Sequence, residues 1–304
     1  MLRKRFLWAA VYSLLLLCFT VYAVMDTFVI ARVYREAAPD TQTQSPSAAS
    51  GSGAALSSSE SPIITEDSYQ DDQISITLMQ YRAQDTTIYV ADVQLASADS
   101  LRTAFAQDAY GRNVTQKTSE IAQDHGAILA VNGDYYGSRQ SGYVIRNGVL
   151  YRDTAAHGQE DLVIYSDGSF GIISEEDVTA QALLEGGATQ VFSFGPALLV
   201  DGAIAVTEDE EVGKAMQDNP RTAIGILEPL HYVFVVADGR TEESEGLQLY
   251  QLAQFMQQLG VQTAYNLDGG GSSTMVFNGA VVNNPTTNGR SIQERSVSDI
   301  VYIG

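Results

Sequence analysis

The sequence predicts a strand-rich domain of the α+β or mixed α/β class, with a mixed sheet and few helices, behind one N-terminal transmembrane helix. Three observations predict it. Apolar and polar residues alternate in short runs, as in ISITLMQYR (74–82) and TTIYVADVQL (86–95). Turn-forming Asn147-Gly148 and Asp167-Gly168 each sit between two such runs. One long amphipathic segment, Glu245–Leu259, stands between strand-like runs at 231–237 and 263–266.

Taken in order, Arg3-Lys4-Arg5 precedes Phe6–Met25, an uncharged and mostly apolar run. A bilayer-spanning helix needs about 20 such residues, and basic residues before the span stay cytoplasmic. Residues 1–35 are therefore read as a single-pass anchor, continuing as helix through 27–35, with the folded domain outside the cell. A cleaved signal peptide is the alternative, with Val21-Tyr22-Ala23 as a poor cleavage site. Residues 36–62 are dominated by Ser, Ala, Gly, Thr, Gln and Pro and read as a flexible tether. The domain proper is 63–304. Its expected strands fall at 74–82, 86–95, both sides of Asn147-Gly148 and Asp167-Gly168, 190–194, 197–200, 222–227, 231–237, 263–266, 273–277 and 299–303. Short helices are expected at 101–106 and 117–124. In the long helix, Leu249, Leu252, Phe255, Met256 and Leu259 share a face, and Gly260 follows as a stop. Strand, helix and strand over 231–266 have the spacing of a βαβ crossover, which brings the two strand ends together.

Charge and cysteine count narrow the function classes. The net charge is −20 over 304 residues, so nucleic acid is not an expected partner. The single cysteine, Cys18, permits no intrachain disulfide and no cysteine-based zinc site, which favours a bacterial surface protein. The three histidines, His125, His157 and His231, have no metal-ligand spacing.

Asp268-Gly269-Gly270-Gly271-Ser272-Ser273 interrupts the apolar runs of YNLDGGGSSTMVF (265–277). It reads either as a tight turn capped by Asp268 or as a site whose amides and hydroxyls face an anion. No lysine follows, so it is not a nucleotide-binding P-loop. Asp238-Gly239-Arg240 is a turn or a second site loop at the end of the neighbouring strand. Arg221 is a surface charge or a phosphate ligand, for which the guanidinium fork is suited. Asn132-Gly133-Asp134-Tyr135-Tyr136 is a strand exit whose tyrosines either stack on sugar or fill a small core. Arg295 is a further cation. The acidic run 208–211 reads as a solvated loop.

Together, AYNLDGGGSSTMVFNG, VVADGR with the helix after it, NPRTAIGI, AVNGDYYG and the terminal RSVSDIVYIG resemble the phosphodiester glycosidase family, over roughly 63–304. That family includes bacterial members related to exopolysaccharide. The resemblance implies hydrolysis at a sugar anomeric carbon linked to a phosphodiester, in a pocket built from Asn132, Arg221, Asp238, Arg240, Asp268, Gly269, Gly270, Gly271, Ser272, Ser273 and Arg295. Asp134 and Gln251 depart from the family pattern, the first by adding a carboxylate and the second by replacing an acid. The resulting expectation is an extracytoplasmic hydrolase of a glycosyl-phosphate linkage in a surface polymer. Arg221, Arg295 and the Gly269–Gly271 amides hold phosphate, Asp268 pairs with Asp134 or Asp238 as acid and base, and Tyr135 and Tyr136 shape the sugar pocket. A divalent cation among Asp134, Asp238 and Asp268 stays open. So do a non-catalytic binder of anionic wall polymers and a metal-dependent phosphodiesterase.

Overall fold

A computed structural model describes residues 6–38, 61–208 and 217–304. Arg3-Lys4-Arg5, residues 39–60 of the expected tether and the acidic run beyond Glu208 lie outside the described residues. The chain begins with α1 (Leu7–Phe28), β1 (Arg32–Glu36), β2 (Ile63–Ile64), β3 (Ser68–Gln70), β4 (Ile74–Ala83), β5 (Thr86–Leu95), β6 (Leu101–Phe105) and β7 (Ala109–Arg112). It continues with α2 (Thr118–Asp124), β8 (Leu129–Asn132), β9 (Val144–Arg146), β10 (Val149–Arg152), β11 (Glu160–Tyr165), β12 (Phe170–Ser174), α3 (Ala180–Glu185) and β13 (Ala188–Phe192). The last part holds β14 (Ala197–Val200), β15 (Ala203–Ile204), β16 (Arg221–Glu228), β17 (His231–Ala237), α4 (Leu249–Gln258), β18 (Thr263–Asn266), β19 (Met275–Phe277), β20 (Ala280–Val281) and β21 (Asp299–Ile303).

The strands form a nine-stranded sheet, β15-β14-β18-β16-β17-β5-β4-β3-β2, and two five-stranded sheets, β10-β9-β13-β11-β12 and β20-β19-β8-β21-β6. The large sheet packs one face on both smaller sheets: Ile76, Val93, Ile224 and Phe234 meet Leu129, Val131, Val301 and Ile303 from one, and Leu162, Ile164 and Phe192 from the other. Its other face is covered by α4 through Leu249, Leu252 and Met256 against Ala223, Val233 and Val235. Helices α2 and α3 close the outer faces of the smaller sheets through Ile121 and Leu183. The alternation of the strands is explained by this layering, since successive side chains must serve opposite faces.

The expected strand-rich architecture with few helices is present. The hairpin turns fall where the turn residues place them: Gln84-Asp85 and Asn147 have positive φ, as two-residue hairpin turns require. The pairing differs from the expected mixed sheet, because the ladders with a defined register are antiparallel. The two-residue turn Pro229-Leu230 folds β17 back on β16, which fills the edge a parallel partner needs. The α4 crossover then lays β18 on the opposite side of β16. β17 and β18 run in the same direction with β16 between them. The start of β16 and the ends of β17 and β18 therefore share one end of the sheet, with Arg221 opposite Ala237 and Ala223 opposite Asn266.

Two local expectations change. Residues 101–105 are a strand rather than a helix, because β21 offers them a full ladder from Leu101 to Phe105. Residues 32–36 are not a helical continuation but a strand on β7, with Arg32 opposite Arg112 and Glu36 opposite Ala109. Helix α1 ends where Val29 N–H bonds Met25 O at 2.9 Å, and β7 supplies the backbone partners beyond.

Candidate active site

The site is assembled around Asn132, at the end of β8 and fully buried. Its Oδ1 accepts from Thr222 Oγ1 at 2.8 Å and from Thr274 N at 3.2 Å. Its Nδ2 donates to Asp268 O at 2.6 Å. One amide thus ties β8, β16 and the two ends of the glycine loop. The bonds to Thr222 and Thr274 join buried groups, where losing one partner leaves the other unsatisfied.

Gly270–Ser272 is a single 3₁₀ turn following β18. The amide of Gly270 donates to Pro220 O at 2.7 Å, that of Ser272 to Gly269 O and that of Ser273 to Gly270 O, both at 3.2 Å. Of the expected Gly269–Gly271 nest, the Gly270 amide is taken up by Pro220 O, while the Ser272 and Ser273 amides close the turn itself. The glycines serve close packing instead. A Cβ on Gly270, at φ +61°, would stand 2.8 Å from Arg240 Nη2, and one on Gly271 would stand 2.5 Å from Thr287 Oγ1. Side chains here would expel Arg240 and the 287 segment from the loop.

Three guanidiniums converge on this loop. Arg295 donates from Nη2 to Asp268 Oδ2 at 3.2 Å and from Nε to Ser272 Oγ at 3.0 Å. Arg240 is held by Asn219 Oδ1 at 2.9 Å and by Thr287 O at 2.6 Å. Arg221 is buried and donates to Leu247 O at 2.8 Å and Gln217 O at 2.9 Å. Burial, and then Arg240, push Arg221 down to about 10, with Asp218 opposing. Burial and the nearby Arg295 likewise lower Arg240. The cations lower one another because they crowd a single region.

The carboxylate that Arg295 meets is Asp268. Ser272 Oγ donates to its Oδ2 at 2.6 Å. Burial raises its pKa, while Ser272, Arg295 and the Gly269 amide work in the other direction. Asp268 is thus a proton acceptor of strengthened basicity beside a cationic pocket. Tyr135 is 46% exposed on the adjoining turn, free to meet a ligand.

The other predicted site residues are placed differently. Asp238 Oδ1 accepts from Asn284 N at 2.9 Å and Asn283 Nδ2 at 3.1 Å, and its Oδ2 from Asn284 Nδ2 at 3.1 Å. It fixes the 283–284 turn. Asp134 is buried and accepts from Tyr136 N at 3.0 Å and Ser193 N at 3.1 Å, and it pairs with Arg146 at 3.0 Å. Tyr136 is buried and stacks on Tyr110, with ring centroids 5.3 Å apart, away from Asp268. Ser273 is buried, and its Oγ has no hydrogen-bond partner. Gln251 closes the capping box of α4 by accepting from Gln248 N at 2.9 Å. Among the described residues, no three His, Cys, Asp or Glu side chains converge to hold a metal ion. Asp134, Asp238 and Asp268 do not fit a shared cation, because two of them are already saturated by donors of their own.

Beneath the site lies an ionic centre the sequence did not announce. Arg146 bonds Asp299 Oδ2 at 2.8 Å and Asp134 Oδ2 at 3.0 Å, all three buried. Burial works against the Arg146 charge, yet the two carboxylates hold its pKa above the ordinary value. A Cβ on Gly133 would meet Asp299 Oδ1 at 2.4 Å, so the glycine of the Asn132-Gly133 pair makes room for this centre. Asp161 is also buried, with neither oxygen hydrogen-bonded, and burial followed by Glu175 push it up to about 10. Arg146 carries no local signal, being one more residue before a hairpin turn. Asn219 and Thr287 were missed for the same reason, although Asn219 stands two residues before Arg221 in the NPRT run.

Comparison with known proteins identifies the family and the fold. The phosphodiester glycosidase family model matches residues 125–304. The chain is 30% identical over 182 residues to the SPbeta prophage-derived uncharacterized protein YomE of Bacillus subtilis, covering 58% of this chain and 28% of that protein. It is 30% identical over 208 residues to the mouse N-acetylglucosamine-1-phosphodiester alpha-N-acetylglucosaminidase, covering 62% of this chain and 40% of that enzyme. The chain thus spans less than half the length of either relative. In fold it is similar to the zebrafish N-acetylglucosamine-1-phosphodiester alpha-N-acetylglucosaminidase catalytic domain, with TM-score 0.60 and 23% identity over 76% of this chain and 82% of that one. It is also similar to a hypothetical protein from Synechocystis, with TM-score 0.58 and 14% identity over 77% of this chain and 62% of that one. By the family match over 125–304 the chain belongs to the phosphodiester glycosidases.

Proposed function

We propose that the chain is a membrane-anchored, extracytoplasmic hydrolase that cleaves a sugar-1-phosphodiester, with N-acetylglucosamine 1-phosphodiesters as the first class to test and a surface glycopolymer as the carrier. The observation that carries this reading is the convergence of Arg221, Arg240 and Arg295 on the Asp268 loop, in a chain of net charge −20. Such a protein has no general affinity for anions, so three crowded guanidiniums support a dedicated phosphate site.

In this reading the arginines hold the phosphodiester and stabilise the charge that develops as it departs from the anomeric carbon. A departing phosphate needs cations more than it needs a proton. Asp268, already bonded by Ser272 and Arg295, takes a proton from the attacking water. The water oxygen joins the anomeric carbon, the bond from that carbon to the bridging oxygen breaks, and a reducing sugar and a phosphomonoester leave. Tyr135 offers an aromatic face to the sugar. Helix α1, 22 residues long and uncharged apart from Asp26, spans about 33 Å, which matches a bilayer core. Its apolar surface is entirely exposed, which supports the anchor.

The test is incubation of the full chain with methyl-phospho-N-acetylglucosamine and a panel of nucleotide sugars, followed by product identification. Free sugar plus phosphomonoester is the expected result. Sugar 1-phosphate as product would instead make the chain a phosphodiesterase. Tight binding without turnover would make it a glycopolymer receptor.

A further inference from the structure

A second arginine cluster lies on the side of the domain nearest α1. A cavity of about 250 Å³ opens there, lined by Arg112, Arg139 and Arg152 and by Tyr34, Tyr110 and Tyr136. None of these three arginines is ion-paired with a carboxylate among the described residues. They are held by neutral oxygens instead. Arg112 donates to Thr27 O at 2.7 Å, Arg139 to Ser193 O at 2.6 Å and Arg152 to Arg139 O at 2.7 Å. Their geometry is fixed while their charge stays uncompensated. Arg152 Nη2 is buried with no hydrogen-bond partner, and so is Tyr136 Oη. The tyrosines form a ladder into the cleft, Tyr34 to Tyr110 at 6.0 Å and Tyr110 to Tyr136 at 5.3 Å between centroids.

The cleft is fastened to the end of the apolar helix. Arg112 and Asn113 both donate to Thr27 O, Asn113 also to Ile30 O, and β1 pairs with β7. Beside it, Phe28 is 74% exposed, Val29 60%, Val33 56% and Tyr34 60%. An apolar and aromatic rim next to a spanning helix belongs at the membrane surface. We propose that this cleft binds the phosphodiester headgroup of a membrane phospholipid and so docks the domain on the bilayer. The phosphate is taken by Arg112, Arg139 and Arg152, and the headgroup hydroxyls face the tyrosines. A lipid fits better than soluble phosphate because the anchor presents headgroups at high local concentration, whereas the net charge of −20 repels free polyanions. The proposal rests on the anchor reading of α1 and is independent of the hydrolytic one.

The experiment uses the full chain. Co-sedimentation with phosphatidylcholine vesicles first reports whether α1 inserts. Native mass spectrometry from detergent micelles then titrates phosphatidylglycerol, phosphatidylcholine and glycerol 3-phosphate. The expected result is one phosphatidylglycerol bound at least tenfold more tightly than either of the others. Arg112→Gln and, separately, Tyr34→Ala should each weaken it several-fold. Tyr34 is largely exposed, so its variant keeps the domain's Tm and its rate on a soluble sugar phosphodiester. Equal binding of the two lipids, or phosphatidylglycerol binding unchanged in both variants, overturns the headgroup site. Glycerol phosphate binding as tightly as phosphatidylglycerol makes it a soluble-phosphate site instead. No association with vesicles overturns the anchor and the headgroup site together, while product analysis on a soluble substrate still judges the hydrolase on its own.

Discussion

Two arginine–carboxylate centres lie on either side of Gly133, and their charge balance is opposite. Below it, one guanidinium, Arg146, is matched by Asp134 and Asp299, with every partner buried. Above it, Arg221, Arg240 and Arg295 crowd around one loop, where Arg295, solvent-exposed, pairs with Asp268 while Arg240 is held by Asn219 and Thr287. The lower centre pairs its one guanidinium with two buried carboxylates. The upper one brings three guanidiniums together at a loop that solvent reaches. Arginine beside aspartate is thus no sign of a site in itself; the crowding of like charges and the access are what single out the upper centre.

The comparison breaks most sharply at its two central residues. Asp268→Asn keeps the size and the Ser272 contact but removes the base. It should lower kcat for a sugar-1-phosphodiester by about 10²–10⁴-fold while the Tm moves little, as steady-state kinetics and calorimetry will show. Wild-type turnover in that variant removes Asp268 from the mechanism. Arg146→Met should do the reverse. It strands two buried carboxylates and should cost about 3–5 kcal/mol in urea unfolding, with any loss of activity tracking the loss of folded protein.

Smaller changes sharpen the contrast. Arg240→Gln should raise KM roughly tenfold, about 1.4 kcal/mol, with little change in stability. Arg295→Gln takes a cation from Asp268, whose pKa is already raised by burial, so the acid limb of the pH–rate profile should move to higher pH. The smallest expected effect is at Asp161. Its carboxyl ionises near 4 in the unfolded chain and at about 10 in the folded one, so the folded state holds the extra proton between those values. Stability from this group is therefore complete below about pH 4 and declines as pH rises through that window. Asp161→Asn should stabilise the protein by roughly 1–2 kcal/mol at pH 8 and have no effect at pH 4, read from paired denaturation curves.

The glycine loop was legible in the sequence because three glycines with two serines exceed the needs of a turn. Arg221, Arg240 and Arg295 read locally as a surface charge, a turn residue and a spare cation, and only the family resemblance drew them toward the loop. The sheet strands were legible through alternation, and α4 through its apolar face. The roles of Asp134 and Asp238 were not, because the groups that saturate them are remote in the chain: Ser193 lies 59 residues from Asp134, and Asn283 lies 45 from Asp238. The antiparallel interposition of β16 was hidden for a related reason. Spacing shows that a helix joins two strands, but not that a third strand already fills the gap between them. Tyr136 was legible as an aromatic at a strand exit, while the side of the turn it faces is decided by Tyr110 and Phe105.

The pairing of β1 with β7 changes what a protease can do to this protein. A tether that joins anchor to domain would release the domain wherever it is cut. Here the first strand of the ladder lies on the α1 side of residues 39–60, so a cut within them leaves two pieces still joined by backbone hydrogen bonds between 32–36 and 109–112. On the proposed anchor reading of α1, separating the domain from the helix would need the ladder to come apart as well.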